Sequence, residues 1–215
     1  MMPAMDFPSG TPADLARLVA DYPLAWLVNS GAHGFFATPL PLVAELDGQG
    51  HVAALIGHCS RRNAQVAALQ ADPRAQVLFM GPQGYVSPAL VSRPQWAPTW
   101  NFAVAVFAVT VAFDDPGTMP AVRRLTDHVE AGQEQPWRIE QAGDRLPHLM
   151  ARIIGFRATV TASDARFKLG QEENLPELLE ILSGHADPAL VGWMRRLNAD
   201  RLHEQVAPHG DQTTG

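Results

Sequence analysis

Leu15, Leu18, Val19 and Tyr22 recur at helical spacing behind Thr11-Pro12. This predicts a first helix with Thr11 as N-cap and Pro12 in its first turn. Pro23 ends it, and the apolar run Leu24 to Asn29 reads as a strand, followed by a loop over Ser30 to Gly34. Phe35 to Leu46 is extended, but Pro39 and Pro41 cannot donate to a ladder and belong on an edge or at an interruption. Asp47-Gly48-Gln49-Gly50 is a turn that makes a hairpin with the strand His51 to His58. Ser60 is expected to cap a short helix that ends at Asp72-Pro73, before a strand from Ala75 to Met80. Gly81-Pro82-Gln83-Gly84 then reads as a turn into Tyr85 to Pro88, and Ala89 to Pro98 as an ordered loop.

Thr99 to Phe113 is the longest strand, so uniformly apolar that burial of both faces is expected. Helices follow at about 120–131 and 146–152, with a loop around Gln135-Pro136-Trp137 between them. Ile154 to Thr161 and Arg166 to Gln171 read as two strands, and helices over about 175–182 and 188–205 close the chain. Strands run together with helices inserted, without β-α-β alternation, which favours an antiparallel, barrel-like α+β domain over a doubly wound sheet. The expected organisation is one domain over residues 1–185, a C-terminal helix over 186–206 packed on it, and a frayed tail over 207–215.

Composition narrows the function classes. Sixteen basic residues, fifteen of them arginine and one Lys168, face 22 acids for a net charge of −6. That balance argues against gripping nucleic acid by bulk electrostatics, so direct DNA binding is not expected. Charged residues are only 18% of the chain, and such a surface suggests cover by a partner subunit or ligand. The single Cys59 forbids an internal disulfide and a cysteine-rich zinc site, and beside His58 it is read as a buried, inert thiol. The eight histidines show no metal-ligand spacing, so no metal is expected. With no visible secretory signal and no apolar run long enough for a spanning helix, the expectation is a cytoplasmic protein without membrane contact.

Three groups of residues could carry chemistry. His58-Cys59-Ser60-Arg61-Arg62-Asn63 lies at a strand-to-helix junction, where helix amides and two guanidinium forks favour a phosphate. A capped surface helix with solvated arginines fits the same spacing. Tyr85, Ser87, Thr99, Trp100 and Asn101 combine rings that could stack on a flat ligand with groups that could bond its edge. Packing and loop satisfaction explain them equally well. Lys168 stands in an alternating segment with Gln171 downstream, and is either specialised or simply solvated.

The order of Gly81-Pro82-Gln83-Gly84-Tyr85-Val86-Ser87-Pro88, Pro98-Thr99-Trp100-Asn101-Phe102, Arg124-Leu125-Thr126-Asp127, Pro136-Trp137, Ile154-Gly155-Phe156 and Lys168-Leu169 resembles the PaiB-type FMN-binding negative transcriptional regulators over about Leu15 to Leu182. The resemblance implies an FMN-binding split β-barrel of the pyridoxamine-phosphate-oxidase kind, antiparallel and Greek-key-like, with flanking helices and a C-terminal helical extension. It also implies a homodimer with FMN between subunits. Ser60-Arg61-Arg62 looks like the phosphate site of those oxidases. The residues this places at the cofactor are Thr38, His58, Ser60, Arg61, Arg62, Asn63, Tyr85, Ser87, Thr99, Trp100, Asn101, Gln171, Trp137 and Lys168, with Trp137 or Lys168 coming from the partner subunit. No catalytic residue is assigned. The chain departs from the family pattern at Pro39, at Val106, at Gly170 and Glu172, and at Arg62 and Ala64. A split-barrel regulatory protein without cofactor, and a flavin-dependent oxidoreductase, therefore stand beside the first reading.

Overall fold

The computed structural model describes residues 9–31 and 34–203. The tail expected over 207–215 and part of the loop expected at 30–34 lie outside the described residues. Seven strands form one sheet in the order β2-β1-β5-β6-β7-β4-β3. They are β1 Leu24–Gly31, β2 Gly34–Pro41, β3 Val43–Leu46, β4 Val52–Ser60, β5 Arg74–Val86, β6 Thr99–Asp114 and β7 Ile153–Lys168. The helices are α1 Pro12–Asp21, α2 Ala64–Ala71, α3 Thr118–Val129, α4 Leu146–Met150, α5 Leu175–Gly184, α6 Pro188–Leu197 and α7 Ala199–His203.

The β1–β2 hairpin runs from Leu24↔Pro41 to Gly31↔Gly34, so the two prolines lie on an edge strand as their missing N–H requires. The expected single extension over Phe35 to Leu46 breaks at Leu42, whose N–H bonds Pro23 O at 2.8 Å. That break closes the barrel. β2 and β3 are the two outer strands of a seven-strand order, a separation of about 29 Å in a flat sheet. Leu42 alone links them, and a single residue reaches only about 7 Å. The sheet must therefore roll until its edges meet. Where they meet, the Gly57 position on β4 has no room for a side chain, since a Cβ would lie 2.3 Å from Leu42 Cδ2.

The chain divides into two compact units. The larger comprises residues 9–81 and 104–165. Its core includes Leu18, Leu27, Leu42, Leu55, Leu69 and an edge-to-face pair of Phe79 with Phe107, 5.8 Å between centroids. Thr11 is the N-cap of α1 as expected, and Asp14 completes a capping box with it. The smaller unit takes 82–103 and 166–203. Here Phe167 stacks on Trp193, and Leu178, Ile181, Leu190 and Met194 are fully buried.

Several boundaries differ from expectation, each for a local reason. Gly81 to Gly84 does not turn but continues β5. Gly84 is needed for close approach, because a Cβ there would lie 2.9 Å from Leu190 Cδ2 of α6. β7 is one strand rather than two, and its exposed stretch 161–164 is what interrupts the apolar pattern. The last helix is two, split at Asn198, whose amide bonds Leu169 O at 3.0 Å and Met194 O at 2.8 Å.

Candidate functional site

The larger unit brings six of the predicted residues into one region. His58 and Ser60 are two apart on β4 and share a face. The chain leaves the strand through Arg61 and Arg62 and enters α2 at Asn63. Asn63, not Ser60, is the cap: its Oδ1 accepts from Gln65 N–H at 2.9 Å. Its Nδ2 donates to Thr38 Oγ1 on β2 at 2.9 Å, joining two predicted residues 25 positions apart. Ser60 Oγ instead accepts from Arg62 N–H at 3.2 Å, folding the two-arginine turn tightly. Gln65 anchors the helix behind that turn, donating to Leu27 O and to buried Asn29.

The two arginines are used differently. Arg61 donates through both terminal nitrogens to the Asp115 carboxylate, one bond being 3.1 Å. This interaction pulls Asp115 below the usual carboxylate range and raises Arg61. Both groups are exposed, at 36% and 61% of their side chains, so water screens the attraction. Arg62 has no carboxylate partner among the described residues and its guanidinium remains available to a ligand. Asp115 is the residue sequence reasoning missed. Asp115 stands between the longest strand and the helix after it, with no local pattern to mark it, and its partner lies 54 positions away.

His58 has a buried Nδ1 with no hydrogen-bond partner. Opposite it in the ladder is Gly155, over which α3 begins: Gly155 N–H donates to Thr118 Oγ1 at 2.8 Å. Burial pushes the His58 pKa below its ordinary value of 6.5. An unfolded chain then binds the proton at a pH where the folded chain does not. The stability this group contributes is complete above 6.5 and is lost as pH falls through 6.5 toward the folded value. We expect the His58 imidazole to titrate below 6.5 by NMR, and to move upward when inorganic phosphate occupies the cluster. A midpoint at or above 6.5 in the free protein would contradict the burial argument. The neighbouring Cys59 is buried as expected, and burial pushes its thiol up to about 11.

The smaller unit gathers another set. Tyr85 and Trp100 are half-exposed, with ring centroids 5.9 Å apart, and Trp100 Nε1 donates to Gln83 at 2.6 Å. They form a surface aromatic ledge. Lys168 is 8% exposed, which corrects the solvated reading. Its ammonium bonds Thr99 Oγ1 and Trp100 O and pairs with Glu172 at 3.1 Å. Glu172 therefore neutralises the lysine beneath the ledge. Asn101 is buried, reaches Met194 Sδ at 3.6 Å, and leaves its Oδ1 without a partner.

The remaining predicted residues have local tasks. Ser87 caps the short 3-10 turn Pro88–Leu90 through Ala89 N–H. Gln171 is not on a strand: it folds back on its own turn, accepting from Leu169 N–H and donating to Phe167 O. Gly170 permits that turn, with φ +85°. Trp137 lies in the loop after α3, 41% exposed, its backbone N–H held by Glu130. Among the described residues, no group of three or more histidines, cysteines or carboxylates could hold a metal ion, and no helix is long and apolar enough to cross a membrane.

The geometry fits the phosphate of a flavin mononucleotide at the β4–α2 junction: an unpaired guanidinium, a hydroxyl, and a buried imidazole nitrogen with no protein partner. The chain is 25% identical to the "Protease synthase and sporulation protein PAI 2" of Bacillus subtilis over 157 residues, 71% of this chain and 75% of that protein. Its fold matches the FAD and heme binding protein of Mycobacterium smegmatis with a TM-score of 0.56 at 19% identity, covering 81% of this chain and 78% of that one. A conserved hypothetical protein of Mycobacterium tuberculosis matches with a TM-score of 0.54 at 14% identity, covering 79% and 93%. The family profile described as "Putative FMN-binding domain" matches residues 1–162, so the chain belongs to this FMN-binding family and is a PaiB-like protein with a flavin-binding split-barrel fold.

Proposed function

We propose that the chain binds FMN at the β4–α2 junction and acts as a homodimeric, PaiB-like regulatory flavoprotein. The observation that carries this reading is the orphaned Nδ1 of His58 on the strand that leads into Arg61 and Arg62, the second of which has no carboxylate partner among the described residues. Arg62, Ser60 and His58 would hold the phosphate, with Asn63 and Thr38 fixing the turn that presents them. The bound flavin would supply any redox chemistry, and the protein its position and electrostatics.

The dimer reading rests on the outer face of the sheet in the larger unit. Leu24, Trp26, Phe35 and Met80 are each at least half exposed there. Trp26 stands opposite Pro39 on β2 and Leu78 on β5. Two of the departures from the family pattern, Pro39 and Val106, make this same face more apolar. A face of this kind suits a second copy.

Purified protein should be yellow or bind added FMN in the micromolar range, and should sediment as a dimer. Colourless protein that takes up no FMN at tens of micromolar would defeat the flavin reading. The alternative is then a cofactor-free regulatory module, which the Arg61–Asp115 pair favours because it already satisfies one phosphate-binding arginine. A monomer in sedimentation would remove the dimer alone.

A further inference from the structure

We infer that Asp115 is a built-in competitor for the phosphate at Arg61, setting the affinity of the site and favouring a doubly charged phosphomonoester over ligands of lower charge. This rests on the phosphate reading above.

Arg61 is fixed by its backbone, since its N–H donates to Arg152 O at 3.0 Å. Its guanidinium presents a two-nitrogen fork, and the Asp115 carboxylate occupies that fork end on, through Nη1 and Nη2. A phosphate oxygen pair would take the same donors in the same planar geometry. Both cannot do so at once. Asp115 comes from the segment that leads into α3, which starts over Gly155 directly across the ladder from His58. The competitor is therefore anchored beside the site rather than swinging in from a free loop. Its side chain is 61% exposed, so it can leave the fork without unfolding anything.

Exchange has a simple charge logic. Replacing one carboxylate by a singly charged group exchanges one unit of charge for another and gains little. A phosphomonoester carries nearly two negative charges at pH 7, so it wins the exchange, and free Arg62 supplies the second cation. The neutral ribityl hydroxyl of riboflavin cannot displace Asp115 at all.

The test is titration with FMN and with riboflavin of the wild-type protein, Asp115→Asn, Asp114→Asn, Arg61→Ala, Arg62→Ala and the Arg61→Ala/Asp115→Asn double variant. Asp115→Asn should tighten FMN about two- to fivefold, the range of an exposed ion pair, and leave riboflavin unchanged. Asp114→Asn removes the same charge one residue away and has no bond to Arg61, so it should have the smaller effect. In the Arg61→Ala background the Asp115 change should do nothing. If Asp115→Asn leaves FMN affinity unchanged or weakens it while Arg61→Ala weakens it, the competition is refuted and the phosphate site stands. If Arg61→Ala and Arg62→Ala both leave FMN binding intact, the phosphate site lies elsewhere and the competition falls with it.

Discussion

Arg62→Ala is expected to weaken FMN binding roughly 10- to 100-fold while leaving riboflavin affinity unchanged. A hydrogen bond to a charged group contributes about 1.5–3 kcal/mol, and each 1.4 kcal/mol is about tenfold. Arg62 can contribute in full because nothing must be broken first: no carboxylate among the described residues holds its guanidinium. Arg61→Ala should cost less, since Arg61 must give up Asp115 before it can take a phosphate. Arg62→Lys should recover part of the loss through charge alone, without the planar fork. Fluorescence quenching of FMN and riboflavin on the three variants reads all of this in one series. Equal losses for FMN and riboflavin in Arg62→Ala would mean that the variant disturbs the ring site or the fold, not the phosphate.

The unequal standing of two adjacent arginines marks where the sequence stops being informative. Local grammar carried well. Thr11-Pro12 with Asp14 closes its capping box within three residues, and the apolar run from Thr99 became β6 almost to its limits. The cluster from His58 to Asn63 was visible because a strand-to-helix junction with two arginines is itself a local pattern. What failed was long-range or served packing. Gly81 and Gly84 read as a turn, yet Gly84 is small because α6 approaches it. Ser60 and Asn63 are both good caps, and Thr38 from a distant strand favours Asn63 by accepting its amide. Lys168 looked solvated because lysines usually are, and Thr99, 69 residues away, buries it. The Arg61–Asp115 pair was out of reach for the same reason, and it matters most for the site.

Gly155→Ala is expected to be the most damaging single methyl in the larger unit. An added Cβ would lie 2.7 Å from Thr118 Cα and 3.0 Å from Thr118 N, both backbone atoms of the first turn of α3. A side chain could swing away from such a clash, but a helix backbone cannot, so α3 or β7 must move. Overpacking of this kind costs about 1–3 kcal/mol, and loss of the Gly155 N–H bond to Thr118 Oγ1 adds about 1 kcal/mol. Removing a glycine returns about 0.4–1 kcal/mol by narrowing the unfolded chain. The net is a loss of roughly 2–3 kcal/mol, about 5–10 °C in Tm for a chain of this size. Gly57→Ala should cost less, because its closest obstacle is the terminal methyl of Leu42 rather than backbone. Gly48→Ala, with nothing within 4 Å, is the control and should change Tm by under about 2 °C. Calorimetry on the three variants gives the order. A Gly155→Ala protein that melts with Gly48→Ala would show that α3 does not rest on Gly155. The same displacement would carry Asp115 away from Arg61, because α3 and the segment before it move together. Gly155→Ala should therefore lower stability while tightening FMN slightly, and only a helix start seated on that glycine links the two readouts.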